Sequence, residues 1–423
     1  MNEYKVSMRK LIDRLRYAGH KCTLLGVGPV SKTVTRAAFE ACKRLSCPPI
    51  FIASRNQVDL KSLGYGYLMG GMDQKGFIKL IEEENNKIGY KGPVYICRDH
   101  GGPWQRNIEL NHKYPVKKAM EIAKTSFKAD IEAGFNYLHI DPTKCPFPHT
   151  LDDICQWTFE LLEYCEEIRK NTGSTLIDYE VGTEDIQGGL TDKESFEAFI
   201  KKLTGMLNNK GLPLPTCVVG QTGTLTRSDC NIGHFDKNVT GELVKIAERC
   251  KVGFKEHNGD YLSAATCRIH PDLGITGINI APEFGLIETD AYLLLANLEL
   301  KLVREGWLED SNSSHLRDLF LEQTFTDSPW GKWLPDNYKK YSRKQIESDS
   351  NLRLLIARVC SHYVYNDEEI KNALKILFKN INNFYLVEDA ERFVLEKVRN
   401  VIEFYIRLFH MNGVNSIVLY QNN

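Results

Sequence analysis

Residues 93–142 read PVYICRDHGGPWQRNIELNHKYPVKKAMEIAKTSFKADIEAGFNYLHIDP, and this one stretch displays the repeating unit of the chain. A short β-rich run over 93–101 is followed by a segment over 117–133 with apolar residues at helical spacing, then by a second β-rich run from Phe135. Outward in both directions the alternation continues. The runs begin at Cys22, Pro49, Pro93, Phe135, Thr175, Pro215, Lys251 and Gly277. Periodicity predicts helices over 31–46, 74–86, 117–133, 151–171, 193–208 and 238–249, with Ser31, Asp73, Thr150, Thr191 and Asp236 as their N-caps. Eight units recurring about every 36 residues predict a (β/α)8 TIM barrel. A doubly wound open sheet would also alternate, but it rarely needs eight strands. The candidate dinucleotide loop, GVGPVS from Gly26, also lacks the third glycine.

The eighth run ends near Gly285. Beyond it, the pattern predicts a last barrel helix over 290–305, a polar break at 309–314 and an irregular connection over 330–341. Further helices are predicted over 351–363, 367–378 and 389–409. The expected division is a barrel with an N-terminal helix over residues 1–305 and an α-helical C-terminal extension over 306–423.

With 54 basic against 55 acidic residues the net charge is −1, so no global field draws a polyanion and a dedicated nucleic-acid binder is excluded. No window of about twenty residues is apolar throughout, which argues against a membrane span. The N-terminus interleaves charges with Leu, Ile and Met and lacks the apolar core of a secretory signal. The 12 cysteines are scattered without a C-x-x-C pair, the pattern of reduced thiols in a cytoplasmic protein.

In such a barrel the chemistry collects at the C-terminal strand ends, and polar residues concentrate there. The third run ends Arg98-Asp99-His100-Gly101-Gly102, an acid beside an imidazole. In the fourth, His139 and Asp141 share a face by the two-residue period. Asp141, nearer the strand end, is the expected functional member, and His139 reads as a satisfied interior residue. The fifth places Asp178, Glu180 and Glu184 on one face, where three carboxylates would repel one another unless a cation sits among them. The sixth ends at Gln221, with Arg227 following. The seventh ends Lys255-Glu256-His257-Asn258-Gly259-Asp260, and the eighth brings Asn279 and Glu283. Two histidines and at least three carboxylates at one rim suit a divalent metal, Zn2+ first and Mn2+ if more oxygens contribute.

SRNQVDL from Ser54, RDHGGP from Arg98, HIDP from His139, YEVGTED from Tyr179, KEHNGDY from Lys255 and APEFG from Ala281 together resemble the GatZ/KbaZ family of class II tagatose-1,6-bisphosphate aldolase subunits. More distantly, the chain resembles the zinc-dependent class II fructose-bisphosphate aldolases. The resemblance implies a metal-dependent, class II aldolase-like enzyme acting on a ketohexose or its phosphate, of tagatose or fructose type. Its chemistry would be reversible C3–C4 retro-aldol cleavage through a metal-stabilised enediolate. It implies Asp99 as the acid/base, His100 and His257 as metal ligands, Glu180 as a carboxylate near the metal and Asn279 as a substrate contact.

Combined with the strand-end reading, the expected catalytic residues are Asp99, Asp141 and Glu283, and the expected metal ligands are His100, Glu180, His257 and Gln221. The expected substrate contacts are Asn56, Arg98, Lys144, Glu184, Arg227, Lys255, Asp260 and Asn279. Two departures stand out. Gln221 replaces a strand-six histidine, and Asn258-Gly259-Asp260 replaces a glycine-serine phosphate loop. The second favours an alternative, a ketose or ketose-phosphate 4-epimerase that re-adds the aldehyde by its other face. A third reading is a non-catalytic stabilising subunit of a tagatose-bisphosphate aldolase, against which the retained polar set speaks. The implied partners are a ketose or ketose phosphate, a second copy of the chain, or an aldolase subunit.

Overall fold

The computed structural model describes residues 6–174, 177–182 and 190–420. Eight parallel strands close into a barrel: Leu24–Val27, Ile50–Ser54, Tyr95–Gly101, Tyr137–Ile140, Asp178–Gly182, Cys217–Val219, Gly253–Glu256 and Gly277–Ile280. Their order around the barrel is their order in the chain. Closure is made by the first and eighth strands, from Leu24 opposite Gly277 to Val27 opposite Ile280. This is the TIM barrel that the alternation predicts, and it brings all eight C-terminal strand ends to one rim.

Helices over Lys32–Leu45, Gln74–Ile88, Val116–Ala133, Leu151–Thr172, Lys193–Asn209 and Lys237–Arg249 follow the predicted spans. Ser31, Asp73, Thr150 and Asp236 cap their helices by accepting from a first-turn N–H. The cap of Lys193–Asn209 is Asp192 rather than Thr191, because Thr191 Oγ1 accepts from Gln221 N at 2.7 Å instead. A helix over Ala264–Leu273 completes the seventh unit; it is short and contains Pro271, which hides its periodicity. The helix after the eighth strand starts at Pro282, not at Asp290. Asp260 Oδ1 accepts from the N–H groups of Ala281 and Glu283 at 3.0 and 2.9 Å, so the chain turns helical as soon as the strand ends.

Beyond the barrel, the helices Leu316–Asp327 and Glu368–Asn383 pack on the second half of Pro282–Arg304 around Tyr292, Leu295, Phe320, Ile370 and Leu377. Ser350–Cys360, Glu368–Asn383 and Ala390–Leu408 match predicted helices, whereas Leu316–Asp327 and Val414–Tyr420 were not anticipated. Ala390–Leu408 returns to the barrel and lays Leu395, Val398, Ile402 and Ile406 into the main core beside Lys32–Leu45. Each such buried side chain contributes about 1.5–3 kcal/mol. Arg392 and Arg399 add ion pairs to Glu40 at 2.7 and 3.2 Å. The connection Trp330–Lys332 packs on Ser350–Cys360 and places Lys332 at the lining of the rim cavity. Among the described residues no helix is long and apolar enough to cross a membrane, and all 12 cysteines are free.

Candidate active site at the C-terminal rim

The third strand delivers the centre of the site. Its pairing with the fourth strand shifts register between Arg98 and Gly101, and His100 adopts a left-handed φ of 43°. Such strain costs about 1–3 kcal/mol and persists where the surroundings enforce it. Plain alternation would send one of two consecutive side chains outward. Here Asp99 and His100 both line the cavity. Gly102, with φ of 125°, passes so near the fourth strand that a Cβ would stand 2.6 Å from the Asp141 carbonyl oxygen.

Three histidines meet at this point. His100, His139 from the fourth strand and His257 from the end of the seventh each offer a ring nitrogen within 4.8 Å of the others. His100 Nδ1 lies 2.7 Å from Asp141 Oδ2, and His257 Nε2 lies 3.0 Å from Glu180 Oε1. The remaining nitrogens of this pair, His100 Nε2 and His257 Nδ1, face each other at 3.0 Å.

Both carboxylates are held ionised. Burial raises Asp141, but its bond to His100 and the neighbouring His100, His139 and Lys144 side chains bring it well below the usual carboxylate range. Burial also raises Glu180, and Lys255, with Nζ 2.7 Å from Oε2, reverses that shift together with His139 and His257. An ionised carboxylate only accepts, so each imidazole commits its N–H to its acid. The two facing nitrogens then present lone pairs to one another, which requires a shared proton or a cation between them. His139 brings the third ring: its Nδ1 accepts from His100 N at 3.3 Å and lies 3.6 Å from Glu180 Oε1, while its buried Nε2 has no hydrogen-bond partner. It sits beside Gly182, where a Cβ would stand 3.1 Å away. Burial lowers His139 to about 4, so this ring is neutral. Three imidazoles, two of them oriented by carboxylates, form a donor set that fits a transition metal such as Zn2+.

Asp99 stands alongside. Its Oδ1 is 3.8 Å from His257 Nε2 and accepts from Asn279 Nδ2 at 2.9 Å. Burial raises its pKa, and the neighbouring His100, His257 and Lys255 side chains outweigh that, leaving it lowered. The cavity around these groups measures about 840 Å3 and takes in Asn56, Lys144, Gln221, Arg227 and Asp260.

Over residues 8–403 the sequence matches the family described as D-tagatose-1,6-bisphosphate aldolase subunit GatZ/KbaZ-like. The chain belongs to this GatZ/KbaZ-like family. It is 24% identical over 398 residues to the D-tagatose-1,6-bisphosphate aldolase subunit GatZ of Escherichia coli strain SMS-3-5, with 88% of each chain covered. The same values hold for the subunit from strain O7:K1 IAI39. Among solved structures it is similar to a probable tagatose 6 phosphate kinase from Sinorhizobium meliloti 1021, with TM-score 0.72 and 18% identity over 91% of this chain and 100% of that one. The fructuronate-tagaturonate epimerase UxaE from Cohnella laeviribosi gives TM-score 0.54 and 11% identity over 94% and 85%. The YdjI aldolase from Escherichia coli K12 gives 0.52 and 14% over 97% and 99%. These structural likenesses show a shared barrel.

In this GatZ/KbaZ-like chain several expected residues do other work. Arg98 is buried on the outer side of its strand, where Nε and Nη2 grip Asp130 at 2.8 and 2.5 Å and Nη1 donates to the Ala53 and Val58 carbonyls. Glu283 stands off the cavity lining, its Oε2 accepting from Tyr261 N at 2.6 Å and Tyr405 Oη at 2.7 Å. Asp141 lines the cavity, and its Oδ2 is also bonded to His100 Nδ1. Glu180 orients His257 instead of joining the three-histidine group, and Lys255 neutralises Glu180. Gln221 lines the cavity but lies outside that group. Asp260 lines it too, with its Oδ1 engaged at the helix start. The three-carboxylate convergence does not form: Asp178 accepts from Arg9 N at 2.9 Å, and the cation beside Glu180 is Lys255. Glu184 lies outside the described residues. Sequence reasoning missed His139 as a site member, although its shared face with Asp141 was the available signal. It also missed Lys332, Trp333, His362 and Tyr363, which line the cavity from the C-terminal region.

Proposed function

We propose that the chain is a divalent-metal-dependent enzyme of class II aldolase type, making and breaking the C3–C4 bond of a ketohexose or ketohexose phosphate of the tagatose or fructose series. The observation that carries this reading is the pair of imidazole nitrogens facing each other at 3.0 Å, with Asp99 Oδ1 3.8 Å from His257 Nε2. His100, His139 and His257 would hold the ion, Zn2+ first and Mn2+ second. When bound, it would supply Lewis-acid polarisation of the ketose carbonyl and adjacent hydroxyl. Asp99 would take the proton of the C4 hydroxyl as C4 becomes an aldehyde and the C3–C4 electron pair stays with the C3 fragment. In the reverse direction the same carboxylate returns that proton. Asn279 fixes Asp99 through Nδ2, and Asn56 and Gln221 would meet sugar hydroxyls from the cavity wall.

A second reading is 4-epimerisation, in which the aldehyde turns and is re-added by its other face. It is favoured by the wall that Trp333 and Tyr363 build on one side of the cavity, which would retain that fragment. The relatives' description as aldolase subunits makes a second copy or an aldolase subunit the expected assembly partner. A purely stabilising subunit has no need of the three-histidine set. The free cysteines support a cytoplasmic setting.

The deciding experiment loads the pure chain with Zn2+ or Mn2+ and supplies tagatose 6-phosphate, fructose 6-phosphate and their bisphosphates. Triose phosphate would identify cleavage, and interconversion of the hexuloses without triose would identify epimerisation. Absence of bound metal, together with an assembled aldolase complex whose activity is indifferent to His100→Ala, would overturn the enzymatic reading.

A further inference from the structure

We propose that Lys332, from the C-terminal region, closes an anion clamp with Lys144 and Arg227 at the cavity mouth, and that this clamp grips the phosphate of a ketose phosphomonoester. The sugar part of the inference rests on the function proposed above; the anion part does not. Lys144 sits in the loop after the fourth strand. Arg227 belongs to a small hairpin after the sixth, pairing opposite Cys230, and Lys332 ends the one-turn helix Trp330–Lys332. All three line the same cavity, and among the described residues none has a carboxylate in an ion pair. Asp336 feels the Arg227 charge but is itself paired with Lys339 at 2.5 Å. The other basic side chain of the lining, Arg106, is spent on the carbonyls of Leu63 and Tyr65.

Like charges gathered without a counter-ion repel, and Lys332 feels its two neighbours. Lys332 keeps access to the open cavity, yet the surrounding protein, and then Lys144 and Arg227, push its ammonium down to about 8. Among the acids of the inner cavity, Asp141 meets the Lys144 charge but also holds His100, Asp99 holds Asn279, and Asp260 holds the helix start. Asp327, on the same lining, shares its field with the exposed Asp367. A phosphomonoester brings a charge of about −1.5 to −2 and three acceptor oxygens, which match an arginine fork and two ammonium groups. A carboxylate brings a single charge. Among the described lining residues Lys144, Arg227 and Lys332 form one cluster of cations, enough for one phosphate. The clamp adjoins the histidines through Asp141, which binds His100 and feels the Lys144 charge. A sugar held at one end by the clamp would therefore present its body to the histidines.

Calorimetric titration of the full chain with inorganic phosphate tests the clamp without turnover. Lys332→Met is expected to weaken phosphate at least about tenfold, Lys332→Arg to restore most of the affinity, and Lys332→Met with Arg227→Met to remove measurable binding. Metal content should stay constant throughout. Equal affinity in the parent and Lys332→Met, or no phosphate binding to the parent, overturns the proposal. A hexuronate bound as tightly as phosphate and weakened equally by Lys332→Met overturns the phosphate assignment. If phosphate behaves as expected and no ketose is turned over, the clamp stands and the catalytic reading falls. If a ketose phosphate is turned over with a KM that Lys332→Met does not change, catalysis stands and the clamp falls.

Discussion

The third strand carries a charge cluster on each of its sides, and the two are built to different ends. On the outer side Arg98 is matched to Asp130, and Arg55 to Asp59 and Glu109, with Gln74 and Ser126 donating to the acids. Each charge there has its counter-charge, and the cluster ties the helix Val116–Ala133 to the barrel. On the inner side, the next residues along the chain, Asp99 and His100, join a cluster whose carboxylates are satisfied but whose imidazoles leave lone pairs aimed at one spot. Buried charge is therefore no mark of function in this molecule. Surplus donor capacity converging on shared space is.

That contrast breaks most directly at adjacent residues. Asp99→Asn is expected to lower turnover by about two to four orders of magnitude, with melting temperature and metal content unchanged. Arg98→Met should do the reverse. It strands Asp130 without its cation and should cost about 3–5 kcal/mol of stability, read from the denaturant midpoint, while the folded fraction keeps its metal. If Asp99→Asn unfolds the chain and Arg98→Met leaves it stable but inactive, the two sides have been assigned the wrong way round. A finer probe is Asp141→Asn, which no longer compels His100 to donate from Nδ1. Metal affinity should fall about 10–100-fold in chelator competition, and Glu180→Gln should act similarly through His257. Unchanged affinity in both variants would remove the oriented imidazoles as the basis of the site.

What was legible in the sequence follows the range of the forces involved. The barrel came from periodicity, a local signal repeated eight times, and Asp99, His100, His257 and Asn279 came from their places at strand ends. His139 was legible only as an interior residue, because nothing local distinguishes a histidine with an orphan nitrogen from a satisfied one. The argument from repelling carboxylates pointed to a metal beside Glu180 for want of Lys255, which lies 75 residues further on and meets it only inside the closed barrel. Arg98 was taken as a substrate contact because its role depends on Asp130, in the following helix. Lys332 had no signal at all. Its place at the cavity comes from Trp330–Lys332 packing on Ser350–Cys360, a contact between separate elements that leaves no mark in the residues around Trp330.

The smallest expected effect comes from a third buried cluster, Asp260 with Glu283, which has acids and no cation. Burial, then the Glu283 charge, pushes Asp260 up to about 8, and burial raises Glu283 as well. An unfolded aspartate titrates near 3.9, so between about pH 4 and 8 the folded chain holds a proton that the unfolded chain has released. Asp260 thus contributes stability that is complete below about pH 4 and is lost as the pH rises through about 8. The lowered pKa values of Asp141 and Glu180 give those groups the opposite sign: their contribution is present above the unfolded carboxylate range and disappears as the pH falls. Asp260→Asn keeps an oxygen for the N–H groups of Ala281 and Glu283 but carries no charge. Its melting temperature should lie nearest the parent's at about pH 4 and exceed it increasingly as the pH rises toward about 9. A gap that stays constant, or closes as the pH rises, would show that Asp260 is ionised in the folded protein.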